Sequence, residues 1–311
     1  MTWVLWPIEI LYSMLWHAKS FLYATGVLTS HKIEATVIVV GNVVAGGGGK
    51  TPLTIALVHH LKQQGYEVGV VSRGFGRATS HIQSVSESSS PEQVGDEPLL
   101  IFGKCQVPVT VGANRVAAAQ QLLQEHPDVK VIVCDDGLQH GALARDIEIC
   151  VMDALGIGNG HLLPAGPLRE PWPRKVDLLL HTQTKSLPEG FESTRTLAPE
   201  VRNAKGQLKS LVALQTQAVE VVCGIAKPDA FKTMLLSQQL QIAHFTALPD
   251  HDNFLNWQAQ APELPLLCTE KDAVKLWRSH PEAYAVTLHF EPETQFWNAF
   301  DAMFKARHRY H

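Results

Sequence analysis

The 311-residue sequence has no CxxC pair, no internal repeat, no charge-free apolar run long enough to span a bilayer and no excess of positive charge. Each absence removes a class of protein. The five cysteines (Cys105, Cys134, Cys150, Cys223 and Cys268) form an odd set without paired spacing. They read as buried thiols in a reducing compartment rather than as a disulfide scaffold or a zinc framework. Lys plus Arg is 26 against 30 for Asp plus Glu, a net charge of −4, so no basic field for general nucleic-acid binding exists. An apolar share of 45% with 18% charged residues excludes wholesale disorder. At about 150 residues per domain, the length implies about two domains. Aromatics are scarce at 7%, yet three of the seven tryptophans, Trp3, Trp6 and Trp16, fall in the first sixteen residues.

Residues 1–30 carry only two formal charges, Glu9 and Lys19. The stretch between them is shorter than the roughly 20 apolar residues of a spanning helix. No basic n-region and no A-x-A site mark a secretory signal. At helical spacing after Pro7, Glu9, Ser13 and Ser20 form a narrow polar stripe. Ile10, Leu11, Met14, Leu15, Phe21 and Leu22 fill a wide apolar face. Two readings stand: an in-plane membrane anchor with aromatic rings at headgroup depth, or a helix packed on the protein's own core.

Residues 36–40, TVIVV, read as a buried parallel strand. GNVVAGGGGKTP and an apolar-periodic helix follow, a strand–loop–helix phosphate site. Gly46, Gly47, Gly48 and Gly49 let backbone N–H groups turn toward an anion, with Pro52 in the first helical turn. Lys50 is placed to reach the outer phosphates, and the Thr51 hydroxyl to ligate Mg²⁺. Val44 stands where the strict pattern has glycine, so the loop is a variant. A second nucleotide element, VKVIVCDDGLQH, ends an apolar strand in Asp135 and Asp136, with His140 in the same loop. These aspartates read as Mg²⁺ holders, or as turn residues before Gly137. No Asn-Lys-x-Asp guanine reader follows strand 176–182, which favours ATP over GTP.

Strand-like runs at 36–41, 67–72, 107–111, 129–134, 147–152 and 176–181 alternate with helix-length segments, predicting an α/β fold with a mostly parallel sheet. The Ser-rich stretch 80–93 reads as a surface loop and 183–209 as a polar connection. The pattern then restarts as a second, smaller α/β domain, and the chain ends in an amphipathic helix with a basic tail. Between the two nucleotide elements lie SRGFGR (72–77), GDEP (95–98) and GANR (112–115). Asp96 or Glu97 could accept a hydroxyl proton during phosphoryl transfer. Equally, Asp96 could cap a helix beginning at Pro98.

The ordered blocks GNVVAGGGGKTP, SRGFGR, VGDEPLL, DDGLQH, LLPAGPLREP, GIAKPDAF, the DH of LPDHDNF and TEKDAVK closely resemble the tetraacyldisaccharide 4′-kinase family, nearly end to end. That resemblance implies a P-loop NTPase-like kinase domain (31–208) and a smaller α/β substrate or lid domain (209–290). It also implies a membrane-associated amphipathic helix (1–30) and a C-terminal helix (291–311) that packs back on the kinase domain. The implied reaction transfers the γ-phosphate of ATP, with Mg²⁺, to the 4′-hydroxyl of a tetraacylated glucosamine disaccharide 1-phosphate, giving lipid IVA. It would take place at the cytoplasmic face of the inner membrane of a Gram-negative bacterium, with no obligate protein partner. The resemblance assigns Lys50 and Thr51 to ATP and Mg²⁺, and Asp96 to activation of the acceptor hydroxyl. His251 orients Asp96, and Glu97 lies in the metal or phosphate shell. Asp135, Asp136 and His140 serve the metal and phosphate network, and Arg73 and Arg169 contact phosphate or substrate. The chain departs from the usual family residues at Gly48 and Phe75. The competing readings are a membrane-tethered switch ATPase that dimerises around nucleotide, and a soluble small-molecule kinase.

Overall fold

The computed structural model describes residues 2–46, 48–182 and 185–308, with side chains from Leu5 onward. Helix α1 (Thr2–Ala24) is followed by β1 (Thr36–Gly41), α2 (Lys50–Gln63), β2 (Val68–Ser72), β3 (Gln83–Ser84), α3 (Pro91–Val94), α4 (Asp96–Cys105) and β4 (Val109–Val111). Next come α5 (Arg115–Glu125), β5 (Val131–Asp135), β6 (Ile147–Met152), β7 (Leu178–His181) and the long strand β8 (Phe191–Arg202). The remaining elements are β9 (Leu208–Ser210), α6 (Leu211–Leu214), β10 (Ala218–Cys223), α7 (Pro228–Ser237), β11 (Gln241–Ala247), β12 (Leu266–Thr269), α8 (Glu270–Leu276), β13 (Tyr284–Pro292) and α9 (Thr294–Arg307).

Among the described residues the strands form one sheet, ordered β11-β10-β12-β13-β8-β7-β6-β1-β5-β2-β4-β3, with β9 beside β8. The expected α/β class and mostly parallel sheet are present: β4, β2, β5, β1, β6 and β7 run parallel, as do β11, β10, β12 and β13. All six residues of β1 are buried. Alternation sends Ile38 and Val40 to a core shared with α2 and α9, and Val37 and Val39 to the opposite face. Phe296, Phe300 and Phe304 recur every four residues along α9 and are buried. Trp297 stacks on His60 of α2 at 4.2 Å, and Asp301 bonds the same imidazole at 2.7 Å.

Strand β8 lies inside the stretch read as a polar connection. It pairs with β7 through Phe191 and Glu192, then runs antiparallel to β13 from Ser193 to Arg202. Its polar, half-exposed sequence hides the strand, and Pro199 sits opposite the register shift near Thr287, where a missing N–H is tolerated. The Ser-rich stretch likewise carries β3 and α3. Ser90 and Gln93 make a reciprocal capping box at the start of α3.

Helix α1 docks through Glu9, Tyr12 and Lys19, of which only Glu9 belongs to the expected polar stripe. Glu9 is buried, accepting Leu162 N–H at 2.8 Å and facing His161 Nδ1 at 3.0 Å. Tyr12 donates its hydroxyl to the Arg169 carbonyl at 2.6 Å, and Lys19 reaches the Gln139 carbonyl at 3.2 Å. Trp6, Ile10, Leu11, Met14, Leu15 and Phe21 are exposed. Trp16 is half-buried, and the Trp3 side chain lies outside the described residues. No helix among the described residues is long and apolar enough to cross a membrane. All five cysteines are free and buried.

Candidate active site

The chemistry-bearing residues gather at the carboxyl ends of the parallel strands, where such sheets hold ligands. After β1, Asn42 Oδ1 accepts Val44 N–H at 2.8 Å, and Ala45 N–H bonds the Pro167 carbonyl at 2.7 Å. Gly46 and Gly49 adopt φ of 105° and 92°, a conformation open to glycine, and Gly49 is the N-cap of α2. Gly48 fits tightly: a Cβ there would lie 1.9 Å from Asn42 Nδ2. Gly47 lies outside the described residues. Lys50 and buried Thr51 open the helix, and Pro52 falls in the first turn, where its missing N–H costs nothing.

Strand β5 delivers Asp135 and Asp136 beside this loop. Asp135 is buried; its Oδ1 accepts the Thr54 hydroxyl at 3.0 Å, while Oδ2 has no partner. Burial, then the negative charges of Glu97 and Asp136, hold its carboxyl well above the usual range. Asp136, in the left-handed region at φ 52°, takes Arg169 Nη1 at 3.0 Å and lies 3.6 Å from Lys50 Nζ. Burial opposes its charge, but Lys50, Arg169 and Arg115 outweigh that and lower its pKa. Among the described residues no group of three or more His, Cys, Asp or Glu side chains forms a ready metal cage. The Mg²⁺ implied by the resemblance nevertheless fits: an unpartnered, buried carboxylate oxygen raised by neighbouring negative charge is what a cation would relieve. Nucleotide oxygens and water would complete its shell.

Asp96 opens α4, whose N-cap is Gly95 with no side-chain cap. Capping therefore does not explain this carboxylate. It accepts the adjacent Glu97 N–H at 3.0 Å, faces His251 Nδ1 at 2.9 and 3.0 Å, and takes Lys275 Nζ at 3.0 Å. Burial would raise its pKa, yet the His251 hydrogen bond and the charges of Lys271 and Lys275 hold it well below the usual range. Lys271 Nζ lies 3.2 Å from His251 Nε2, 3.1 Å from Asp250 and 3.4 Å from Glu97. A charged lysine only donates, so Nε2 accepts and Nδ1 carries the proton given to Asp96. His251 itself has φ 65°, and the ring of exposed Phe75 lies 5.0 Å from its own.

The expected residues thus fall into two adjoining sets, Lys50–Asp136–Arg169 and Asp96–His251, with Glu97 and Asp135 coupled electrostatically between them. His140 stands in the DDGLQH loop with a buried, unpartnered Nε2, its pKa pushed down to about 4 by burial and the charges of Arg115 and Arg145. Arg73 is exposed just past β2.

Comparison with known proteins decides the family. The family described as tetraacyldisaccharide-1-P 4′-kinase matches residues 1–307. The chain belongs to that family. The tetraacyldisaccharide 4′-kinase of Acidovorax sp. (strain JS42) is 49% identical over 303 residues, covering 96% of this chain and 89% of the relative. That of Delftia acidovorans is 47% identical over 307 residues, covering 97% and 91%. The crystal structure described as the "apo" form of LpxK from Aquifex aeolicus in complex with ATP has a TM-score of 0.86 at 26% identity, covering 99% of both chains.

Against this tetraacyldisaccharide 4′-kinase background, sequence reading passed over the individual roles of several residues in the blocks. Lys271 and Lys275 stand one helical turn apart on α8, whose N-cap Thr269 accepts Asp272 N–H. The T-x-x-D pattern marks a helix start, so both lysines could have been placed on one face. Asp272, fully buried, accepts the Thr269 hydroxyl at 2.6 Å and Gly224 N–H at 3.1 Å, and the Gly224 carbonyl accepts His251 N–H at 3.0 Å. TEKDAVK therefore holds the Asp-His loop from both backbone and side chain. Arg115, also buried, bonds the carbonyls of Gly112 and Asp136 at 2.8 and 3.3 Å.

Proposed function

We propose that this chain, a member of a family that phosphorylates the lipid A precursor, moves the γ-phosphoryl group of ATP onto the 4′-hydroxyl of a tetraacylated disaccharide 1-phosphate. The hydroxyl oxygen attacks phosphorus as the bond to the bridging oxygen breaks, and ADP leaves. The hydroxyl proton passes to Asp96. A carboxylate of depressed pKa is a weak base, which suits a loose phosphoryl-transfer transition state in which the proton departs late. Asp96 first orients the hydroxyl, and His251 fixes the carboxylate through Nδ1–H.

Backbone N–H groups of Gly46–Gly49 and the Lys50 ammonium bind the phosphates. Thr51, Asp135 and Asp136 would hold Mg²⁺, which supplies charge neutralisation on the phosphate oxygens when bound. Arg169 keeps Asp136 in place, Glu97 extends the acidic wall, and His140 and Arg73 face the substrate's anionic groups. The kinase unit brings Asp96 and the smaller α/β unit brings His251, with β8 shared between them, so the base is complete only when the two halves meet. Helix α1 lies in the membrane surface by its exposed apolar face, at the cytoplasmic side of the inner membrane. The observation that carries this reading is the buried Asp96–His251–Lys275 contact beside a glycine-rich phosphate loop.

The test mixes purified protein in detergent with γ-labelled ATP, Mg²⁺ and the disaccharide lipid. Label in the lipid is expected. ATP hydrolysis stimulated by self-association, with no labelled lipid, would overturn the kinase reading in favour of a switch ATPase.

A further inference from the structure

At the edge of the phosphate loop, buried Thr182 and half-buried Arg195 each keep a buried polar atom without a hydrogen-bond partner. Thr182 follows β7; it is fully buried, its N–H bonds the Met152 carbonyl at 2.8 Å, and its Oγ1 has no partner. Arg195 stands on β8 beside Phe290, its cross-strand partner, with the guanidinium 5.8 Å from the ring centroid. Its Nε is buried without a hydrogen-bond partner, and no carboxylate forms an ion pair with it among the described residues. Asp153, the acid that most influences it, is paired with Lys227. Both side chains press on Gly49: a Cβ there would lie 2.3 Å from Arg195 Nη2 and 2.7 Å from Thr182 Cγ2.

A guanidinium cannot shed its charge, and burying its Nε–H without an acceptor is unfavourable. A purely structural arginine would find a carboxylate or carbonyl. Here the complement is missing at the head of α2, where the helix dipole and the loop N–H groups already favour phosphate. In strand order β7 and β8 lie on the β6 side of β1, whereas β5 with Asp135, and α4 with Asp96 leading to β4, lie on the other. An anion reached by Arg195 is therefore on the side away from the acceptor base.

We propose that Arg195, with Thr182 beside it, binds the non-transferred phosphates of the nucleoside triphosphate and stays on them in the diphosphate product. This rests on the kinase reading above. It gives the enzyme a cation on the leaving group in addition to Lys50, planar and fork-shaped where Lys50 is a point charge.

The test titrates ADP and ATP into full-length wild type, Arg195→Met, Arg195→Lys, Thr182→Val and Lys50→Met, with melting temperatures of the nucleotide-free proteins. Arg195→Met is expected to weaken ADP and ATP by a similar factor, about 10–100-fold. The nucleotide-free melting point should stay level or rise. A structural arginine would instead lower that melting point and leave ADP affinity alone, which would overturn the proposal. Arg195→Lys and Thr182→Val should each weaken ADP several-fold, and they decide the matter if the methionine variant does not fold. Unchanged ADP affinity in Arg195→Met while Lys50→Met loses ATP sinks this proposal and spares the kinase reading. A wild type that binds no nucleotide overturns both.

Discussion

His251 Nδ1 lies 2.9 Å from Asp96 Oδ1 across 155 residues of chain. The carboxylate comes from the first turn of α4 and the imidazole from the loop after β11, so neither segment forms this pair alone. Lys275 completes it from a third direction, and Lys271 fixes which imidazole nitrogen carries the proton.

Lys275 and Asp96 are both nearly inaccessible, at 6% and 4% side-chain exposure. Removing one partner of a buried pair leaves the other charge uncompensated, so Lys275→Met should cost about 3–5 kcal/mol of stability in denaturant unfolding. The Asp96 pKa is depressed, so its stabilisation is present above about pH 4 and lost as pH falls through the lower folded value. Lys275→Met raises that folded value. The acid limb of kcat/KM should therefore move to higher pH, and an unmoved limb would show that Lys275 does not act on Asp96.

Asp135 titrates the other way. Its folded pKa is raised, so the folded state holds a proton that the unfolded chain has lost. Stability falls as pH rises from about 4 through the raised value. Nucleotide-free wild type should lose melting temperature over that window, and Asp135→Asn should remove part of the loss. Mg²⁺ with ATP should stabilise wild type more than the variant. Parallel pH–stability curves for the two proteins would contradict the assignment.

Residue patterning laid out the frame of this site but not its cross-links. TVIVV and the glycine loop announced β1 and α2 because their signals are local: continuous β-branched burial, then glycine and Lys-Thr at a helix start. Asp135 and Asp136 were visible at a strand end for the same reason. The Asp96–His251 pair was reachable only through family resemblance, since nothing local links positions 155 apart. β8 escaped because a half-exposed strand with a proline reads as polar loop. Lys275 and Arg195 escaped because the partners of a cation, or their absence, are recognisable only once its surroundings are known. The burial of Glu9 on α1 escaped because it depends on a partner far along the chain, the Leu162 N–H and the His161 ring.

Gly95 has φ 93° and ψ 153°, a region essentially restricted to glycine, and a Cβ there would approach Gly74 Cα and the Phe75 carbonyl at 3.1 Å. Gly95→Ala should destabilise by about 1–3 kcal/mol and displace the turn that presents Asp96. Thermal unfolding and kcat are the readouts; a variant with wild-type values for both would show that this close approach is dispensable.

The exposed face of α1 gives a separable prediction. Leu11 and Leu15 are 58% and 63% exposed. Leu11→Ser with Leu15→Ser should leave the melting temperature unchanged and weaken binding to anionic liposomes at least tenfold, given about 1.5–3 kcal/mol per buried leucine. Unchanged partitioning would remove the membrane role from this face.

The most direct test of the central claim, that Asp96 receives the acceptor proton, is turnover in Asp96→Asn with ATP binding measured on the same sample. The account predicts a loss of about 10²–10⁴-fold in kcat with ATP affinity retained. Turnover near wild type would contradict it and leave the carboxylate a structural partner of His251 and Lys275.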